Sequence, residues 1–392
     1  MQLFDTATRT VRELTPRNGR VGMYVCGITP YDGGHVGHAF TYHTFDLITR
    51  RLRSSGITVR SVRNVTDVDD DILRVARERG ESFRTLADVE TRRFDADMLD
   101  LGLLPVDASP RATARVHRMV QWILRLVECG AAYDNQGWVY FDVDRFPEYG
   151  SLSRLDATAM LELSRQRGAD PDDPRKRNPL DFVLWQPSAA DEPSWPSPWS
   201  MGRPGWHIEC TVLSATELTL PMDIHGGGDD LIYPHHECEL AQSVAAGVPA
   251  FCRHWVHVAM VGYLGEKMSK SLGNIVFVRE LLASRPSGAL RLMLCAHHHR
   301  SAWEYNDGEL ASADVRWRDY QSAMSSDLSF TNTDAQAVYD DFVARIDDDL
   351  DTPGALAILD EVAARPAVEH GASLTAAQVM KPLLTMLGVR LD

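Results

Sequence analysis

The sequence contains no long apolar run. None of its stretches approaches the roughly 20 apolar residues that a membrane-spanning helix needs. The first residues, MQLFDTATRTVREL, carry charged side chains where a signal peptide has an apolar segment. We therefore expect a cytoplasmic protein with no membrane partner.

Cysteine is scarce. Six cysteines are scattered over 392 residues, at positions 26, 129, 210, 238, 252 and 295. This is too few for a disulfide framework, and in a reducing compartment cysteines clustered with histidines more often bind metal or take part in catalysis. Cys26 and Cys210 are so far apart in the sequence that only the fold could bring them together.

Basic residues are also fewer than acidic ones, with 40 Lys and Arg against 55 Asp and Glu. The formal net charge is -15, and from residue 301 to the end six Lys and Arg face seventeen Asp and Glu, a local balance of -11. Acidic surfaces disfavour indiscriminate nucleic-acid binding. We expect small-molecule substrates rather than a nucleic-acid partner, and a monomer or a weak dimer.

The apolar pattern near the start of the chain predicts a parallel βαβ unit. Residues 20–25 have the composition of a buried strand, residues 39–54 the spacing of a helix packed on a sheet, and residues 57–65 that of a second strand. Ligands of such a unit bind at the carboxyl ends of the strands. Cys26, His35 and Thr66 all fall there.

The remaining chain shows no internal repeat and no low-complexity tract. We predict mostly helix over 71–131, a strand at 137–143, and a Pro-rich rim over 168–204 that contains a second strand at 181–185. The chain is then expected to return to the central sheet at 205–210 and 222–225 and to be helical from 276 onward. The predicted segments are a first half of the core (1–95), an inserted module (96–200), a second half of the core (201–275) and a helical region (276–392).

The tetrapeptide HVGH places two histidines at the start of a helix, where backbone N–H groups and the helix dipole favour a phosphate. Both imidazoles lie three residues apart on one helical face, and Gly37 lets a nucleotide approach the backbone. His35 and His38 could stabilise charge on an α-phosphate during adenylyl transfer. The alternative is a pair of surface histidines.

A second motif, KMSKS at 267–271, stands in a polar, glycine-flanked stretch. Lys267 and Lys270 would neutralise the β- and γ-phosphates of ATP, and Ser269 could add a hydrogen bond. The glycines provide hinges for a loop that closes on the nucleotide. The alternative is a solvated lysine loop.

A zinc site is the third candidate. Cys26, Cys210, His235 and Glu239 offer two thiolates, an imidazole and a carboxylate, and the last two share a helical face if their segment is helical. His236 and Cys238 are rival ligands, and the alternative is that the cysteines are buried apolar residues. Zinc could hold a substrate thiol as thiolate, which a serine hydroxyl reproduces poorly, and so select cysteine.

A glycine-rich turn is a further predicted part of the nucleotide-binding site. Gly226, Gly227 and Gly228 permit close approach of ribose or adenine, and Asp230 beyond them could bond a sugar hydroxyl or an amine. Trp206 could close the substrate pocket as an apolar lid, although a core tryptophan has the same sequence signature.

Together these segments resemble the class I aminoacyl-tRNA synthetases, since HVGH is similar to the HIGH motif and KMSKS is the second signature of that class. With YVCG, NVTDVDD, GRPGWHIEC, DIHGGG and PHHE, the chain resembles cysteinyl-tRNA synthetase and its paralogue, the mycothiol-pathway cysteine ligase, over about residues 3–300. The resemblance implies an α/β fold, with a Rossmann core, an inserted connective module and a C-terminal helical bundle.

The resemblance also implies substrates and site residues. These are L-cysteine, ATP with Mg²⁺ and a cysteinyl-adenylate intermediate. Zinc is implied at the positions matching Cys26, Cys210 and His235. Thr66 and Trp206 would line the cysteine pocket together with Thr29, and Asp230 would face the acceptor.

Four features are similar to the ligase branch: ITPYD at 28–32, RGADPDDP at 167–174, EPSWPSP at 192–198, and an expected absence of an anticodon-binding extension after LGVRLD. Three positions depart from family patterns, namely Glu239, His297 and Asp229. We expect an ATP-dependent, AMP-forming ligase that joins L-cysteine to the amine of glucosaminyl-inositol or a similar aminosugar. The alternatives are a short cysteinyl-tRNA synthetase and a non-catalytic cysteine or zinc sensor.

Overall fold

The computed structural model of the chain describes residues 1–268, 273–365 and 373–391. Its strands are β1 (Gln2–Asp5), β2 (Thr10–Glu13), β3 (Arg20–Ile28), β4 (Thr58–Val65), β5 (Ala132–Asn135), β6 (Trp138–Phe141), β7 (Phe182–Pro187), β8 (Gly202–Pro204), β9 (Met222–Gly228), β10 (Cys252–Val258), β11 (Val261–Tyr263), β12 (Glu266–Lys267), β13 (Trp303–Glu304), β14 (Ser329–Phe330) and β15 (Leu374–Thr375).

The helices follow the same chain order. They are α1 (Val36–Ser54), α2 (Asp70–Arg79), α3 (Phe83–Asp100), α4 (Val116–Glu128), α5 (Ala157–Gln166), α6 (Trp206–Glu217), α7 (Glu237–Ala245), α8 (Val278–Leu282), α9 (Ser287–Cys295), α10 (Asp307–Ser325), α11 (Asn332–Asp347), α12 (Thr352–Ala363) and α13 (Ala376–Met386). Within the described ranges, none of them is both long enough and apolar enough to span a membrane.

The central sheet has the order β10-β9-β3-β4, and all of its neighbouring strands are parallel. Strand β3, helix α1 and strand β4 form the predicted βαβ unit. Helix α1 begins at Val36, three residues earlier than predicted, because the side chain of His35 caps the helix. Side chains from both faces of the sheet are buried, as expected for a parallel sheet covered on two sides.

The prediction that residues 205–210 form a strand of this sheet is wrong. Gly205 is the N-cap of α6, and Cys210 lies inside that helix. Every residue from Ile208 to Ser214 is buried. A short run buried on all sides has no helical periodicity in its sequence, so it cannot be told from a buried strand by pattern alone. The second predicted return, at 222–225, is confirmed as part of β9.

A second sheet, with the order β5-β6-β7-β8 and antiparallel pairing, lies within residues 132–204. It contains the two strands predicted at 137–143 and 181–185. Helix α3 crosses the proposed boundary between residues 95 and 96. The segment limits proposed from the sequence, including the inserted module, therefore remain a prediction.

The last third of the chain is helical, as predicted, and it packs on the core through a buried ion pair. Arg291 Nη2 on α9 lies 2.6 Å from Asp46 Oδ2 on α1, and the same guanidinium donates to the carbonyl oxygen of Leu387. Residue Gly388 has a φ of 75°, a left-handed conformation typical of a helix C-terminus. The buried pair thus joins the end of the chain to the helix that carries HVGH.

Candidate active site

An open cleft lies at the carboxyl ends of the central strands. Its lining includes Cys26, His35, His38, Trp206 and Asp230, which come from the ends of β3 and β9 and the starts of α1 and α6. In open parallel sheets this is where ligands bind. The fold therefore gathers residues that are far apart in sequence around one cavity.

The imidazole rings of the two histidines of HVGH are stacked on each other at the N-terminus of α1. Their ring centroids are 3.7 Å apart, and the Nδ1 atom of His35 accepts a hydrogen bond of 3.3 Å from the backbone N–H of His38. A Cβ atom on Gly37 would lie 3.0 Å from the His35 ring. Gly37 thus leaves room for the stacked ring as well as for a ligand in the cleft.

The KMSKS stretch begins as a β-hairpin rather than as a plain loop. Glu266 and Lys267 form β12, which pairs with β11 across a turn in which Leu264 and Gly265 have φ values of 59° and 80°. The N–H of Gly265 donates to Glu304 Oε1 at 2.8 Å. The side chain of Lys267 and the whole of Ser269 and Lys270 lie outside the described part of the structure, which resumes at Gly273, so their nucleotide contacts stay predictions.

The structure brings the four predicted metal ligands together. The donor atoms of Cys26, Cys210, His235 and Glu239 all lie within 4.8 Å of one another, and all four residues are buried. His235 Nε2 is 3.2 Å from Glu239 Oε1. The residues come from β3, α6, the turn at 232–236 and α7, so tertiary packing alone assembles the cluster.

The chemistry of these side chains suits a cation. Burial lowers the pKa of His235 well below its ordinary value, so the imidazole is neutral, which is the form that binds zinc. His207 Nδ1 lies 2.9 Å from His235 Nδ1 and leaves Nε2 facing the cluster. Burial raises the pKa of the Cys26 thiol, and a bound cation would offset the cost of burying thiolates there.

An overlapping set of donors shares two of these residues. It consists of Cys26, His225, His236 and Glu239, again within 4.8 Å of one another. His236 is one of the two rival ligands predicted from the sequence. The other rival, Cys238, is outside both sets, since its Sγ lies 3.3 Å from the hydroxyl of Tyr149.

His225 is absent from the sequence-based candidates. Its Nε2 lies 3.1 Å from Glu239 Oε2, on the far side of the carboxylate from His235. The signal available in the sequence is its place in DIHGGG, as the last residue of the strand segment predicted over 222–225, since ligands bind near the carboxyl ends of such strands.

The predicted cysteine-pocket residues lie at different depths. Trp206 lines the cleft and stacks on His235, with ring centroids 4.1 Å apart. Thr29 also lines the cleft, and its hydroxyl donates to Asp69 Oδ2 at 2.8 Å. Thr66 is buried at the end of β4, where its Oγ1 lies 3.1 Å from Asn64 Nδ2.

The glycine turn is divided between packing and the cleft. A Cβ atom on Gly226 would lie 2.2 Å from Phe45 Cζ, and one on Gly227 would lie 2.8 Å from Leu231 Cδ1. Close packing against the Phe45 ring therefore requires glycine at 226, whereas Gly227 lies against a flexible leucine side chain. Gly228 and Asp230 line the cleft itself.

Comparison with known proteins places this site in a class. Residues 13–315 match the family described as "tRNA synthetases class I (C) catalytic domain". The fold is similar to that of Mycobacterium tuberculosis methionyl-tRNA synthetase in complex with methionyl-adenylate, with a TM-score of 0.65 and 16% identity over 94% of this chain and 82% of that one. The fold and the family match define a class I synthetase catalytic domain.

Relatives that match along nearly their whole length identify one family within this class. The chain is 43% identical over 395 residues to a protein of Thermobifida fusca, covering 100% of this chain and 95% of that one. It is 44% identical over 398 residues to a protein of Salinispora tropica, covering 100% and 98%. Both are named L-cysteine:1D-myo-inositol 2-amino-2-deoxy-alpha-D-glucopyranoside ligase, and the chain belongs to this ligase family.

Proposed function

We propose that the protein activates L-cysteine with ATP and transfers the cysteinyl group to the amine of glucosaminyl-inositol, the reaction that its relatives' names describe. The observation that carries the proposal is the buried group of two thiols, an imidazole and a carboxylate, one of which, Cys26, also lines the cleft that HVGH faces. Cys26 thus connects the proposed thiol-selective site with the cleft that would hold the nucleotide.

In the first step, a carboxylate oxygen of cysteine attacks the α-phosphorus of ATP, and pyrophosphate leaves. His35 and His38 face the cleft from the N-terminus of α1, where they and the helix dipole stabilise negative charge on the phosphate. Lys267 and Lys270 neutralise the departing pyrophosphate, and Mg²⁺ accompanies the ATP. Gly37 and Gly228 give the nucleotide access to the backbone.

We assign a zinc ion to Cys26, Cys210, His235 and Glu239. When bound, zinc supplies a Lewis acid that keeps the substrate thiol as thiolate. Trp206 covers this region and excludes water from it. Thr29 lines the same cleft, and Thr66 supports the pocket from the end of β4.

In the second step, the acceptor nitrogen attacks the carbonyl carbon of the adenylate. The bond between this carbon and the oxygen that bridges to phosphorus breaks, and AMP leaves with the electron pair of that bond. The nitrogen then loses a proton. Asp230 lines the acceptor side of the cleft, where it orients the amine or takes its proton. The protein acts in the cytoplasm on small molecules, without nucleic acid, as a monomer or weak dimer.

Incubation of the protein with ATP and L-cysteine, with glucosaminyl-inositol and total tRNA offered in parallel, tests the proposal. We expect a cysteine–aminosugar amide, identified by mass, and one AMP for each amide. Cysteinyl-tRNA as the product would reject the proposal in favour of the synthetase reaction. Adenylate formation with neither acceptor consumed would show that the amine is a different one.

A further inference from the structure

Arg167 reaches across the cleft to Asp230. It directly follows α5, and its Nη2 lies 3.3 Å from Asp230 Oδ2 and 3.4 Å from the backbone oxygen of Asp230. The side chains of Arg167 and Asp230 are 32% and 23% exposed, so solvent only partly screens the pair. The contact joins residues 63 positions apart in the sequence.

The pair lies on the acceptor side of the proposed reaction. Arg167 and Asp230 both line the cleft, together with Trp206 and Gly228. A Cβ atom on Gly228 would come within 2.6 Å of Asp230 Oδ1, so the carboxylate lies directly over the Gly228 backbone. The guanidinium therefore stands beside the carboxylate that we assign to the acceptor amine.

The reaction requires the acceptor amine to be uncharged. Only the neutral form carries the lone pair that attacks the adenylate, whereas an aminosugar amine is largely protonated near neutral pH. A carboxylate alone favours the charged ammonium form of a nearby amine, and a neighbouring cation opposes it. Arginine keeps its charge at every relevant pH and offers several N–H donors.

Building on the proposed function, we infer that Arg167 is the residue that selects an uncharged acceptor amine at Asp230. The guanidinium balances the carboxylate, so Asp230 accepts a hydrogen bond from the neutral amine without drawing the ammonium form into the site. Arg167 also presents donors to the hydroxyl groups of a sugar acceptor.

Other charged and titratable groups face the same space. They are Tyr31 and Asp32 from the loop before α1, His35, His38 and Tyr42 from the start of α1, and Asp71, Arg74, Glu78 and Arg79 from α2. His257, which has Arg9 beside it, also lies near Asp230. Arg74 already pairs with Asp71 and Glu78, at 2.9 Å each. Arg167 bonds Asp230 directly.

The test compares Arg167→Gln and Arg167→Lys with a matched control, Arg165→Gln. Arg165 lies in the last turn of α5, two residues before Arg167; it pairs with Asp172 and is 49% exposed. Two rates are measured for each protein: ATP–pyrophosphate exchange with cysteine, and amide formation with glucosaminyl-inositol from about pH 6 to about pH 9, a range that brackets the titration of an amine.

We expect Arg167→Gln to keep the exchange rate and to lose about tenfold in kcat/KM for the acceptor at neutral pH. The rising limb of its amide-forming pH profile should move to a pH about one higher, the equivalent of that tenfold change. Arg167→Lys should restore the profile, because it restores the charge, and Arg165→Gln should match the wild type.

An unchanged acceptor kcat/KM and pH profile in Arg167→Gln would overturn the inference. An equal loss of the exchange rate would also overturn it, since it would show a structural role. A wild-type protein that forms adenylate but no amide would reject the proposed function and this inference together, so the two failures are distinguishable.

Discussion

The indole of Trp206 stacks on the imidazole of His235, with ring centroids 4.1 Å apart and an angle of 27° between the planes. The proposed lid of the cysteine pocket therefore rests on a proposed metal ligand. Helix α6, which begins at Trp206, also supplies Cys210 one turn later. The proposed cysteine pocket and the proposed metal site thus share one helix.

Replacement of this ring should weaken cysteine binding. We expect Trp206→Ala to raise the KM for cysteine about tenfold in ATP–pyrophosphate exchange, because an aromatic pair contributes about 0.5–1.5 kcal/mol beyond the area that it buries. The KM for ATP should not change, and Trp206→Phe should recover most of the loss. A Trp206→Ala protein with the wild-type KM for cysteine would contradict the assignment of this residue to the pocket.

The metal assignment predicts different outcomes for two buried cysteines. Cys210→Ser should lose zinc on dialysis, with an affinity lowered by more than the roughly 10–100-fold typical of changes outside the ligand shell. It should also lose its preference for cysteine over serine. Cys238→Ser is the matched control, since Cys238 is equally buried but contacts Tyr149. Retention of both zinc and cysteine activation by Cys210→Ser would refute the site.

The contact between Glu304 and the hairpin before the KMSKS signature predicts an effect on the first step. Glu304→Ala removes the acceptor of the 2.8 Å hydrogen bond from Gly265, which is worth about 1.5–3 kcal/mol when the acceptor is charged. We expect a roughly tenfold fall in kcat for exchange with an unchanged KM for cysteine. Glu280→Ala, at an exposed position on α8, should behave as the wild type. Equal rates in both variants would argue against a positioning role.

Asp69 predicts a pH dependence of stability. Burial raises the pKa of its carboxyl to about 6, against about 3.9 in an unfolded chain. The native state therefore holds the proton more tightly, and this stabilisation is complete below the unfolded value and is lost as pH rises through about 6. The difference between the folded and unfolded pKa values corresponds to a loss of about 3 kcal/mol in the free energy of unfolding.

Urea unfolding of Asp69→Asn between about pH 4.5 and about pH 7.5, on either side of the native pKa, checks this prediction. Asparagine is also a good N-cap, so it can keep the capping hydrogen bond to Ile72 without carrying a charge. The free energy of unfolding of the variant minus that of the wild type should increase as pH rises through this range. Asp71→Asn, exposed in the same turn, is the control, and a pH-independent difference for Asp69→Asn would exclude the effect.

The sequence predicted the fold and the family because their signals are local. Residues 20–65 carry strand and helix periodicities that the structure confirms, and HVGH and KMSKS are short motifs that define a class without any knowledge of packing. The 205–210 segment failed for a local reason too, since a helix buried on every side loses the periodic pattern that would reveal it.

Site geometry was only partly accessible from the sequence. Helical spacing placed His235 and Glu239 near each other, but it could not choose among Cys238, His236 and His225 as neighbours. That choice depends on how α7 packs between the central sheet and α6. The roles of the site residues in catalysis remain predictions for the experiments above.

The sequence by itself determined the chemistry that is present: two thiols, a set of imidazoles, a phosphate-binding helix start and a lysine signature. Only the tertiary structure decided which of these groups meet. It turned Cys238 toward Tyr149, brought His225 to Glu239, and carried Arg167 across the cleft to Asp230. The physical reason is that sequence periodicity fixes which face of an element is buried, whereas long-range packing fixes what that face touches.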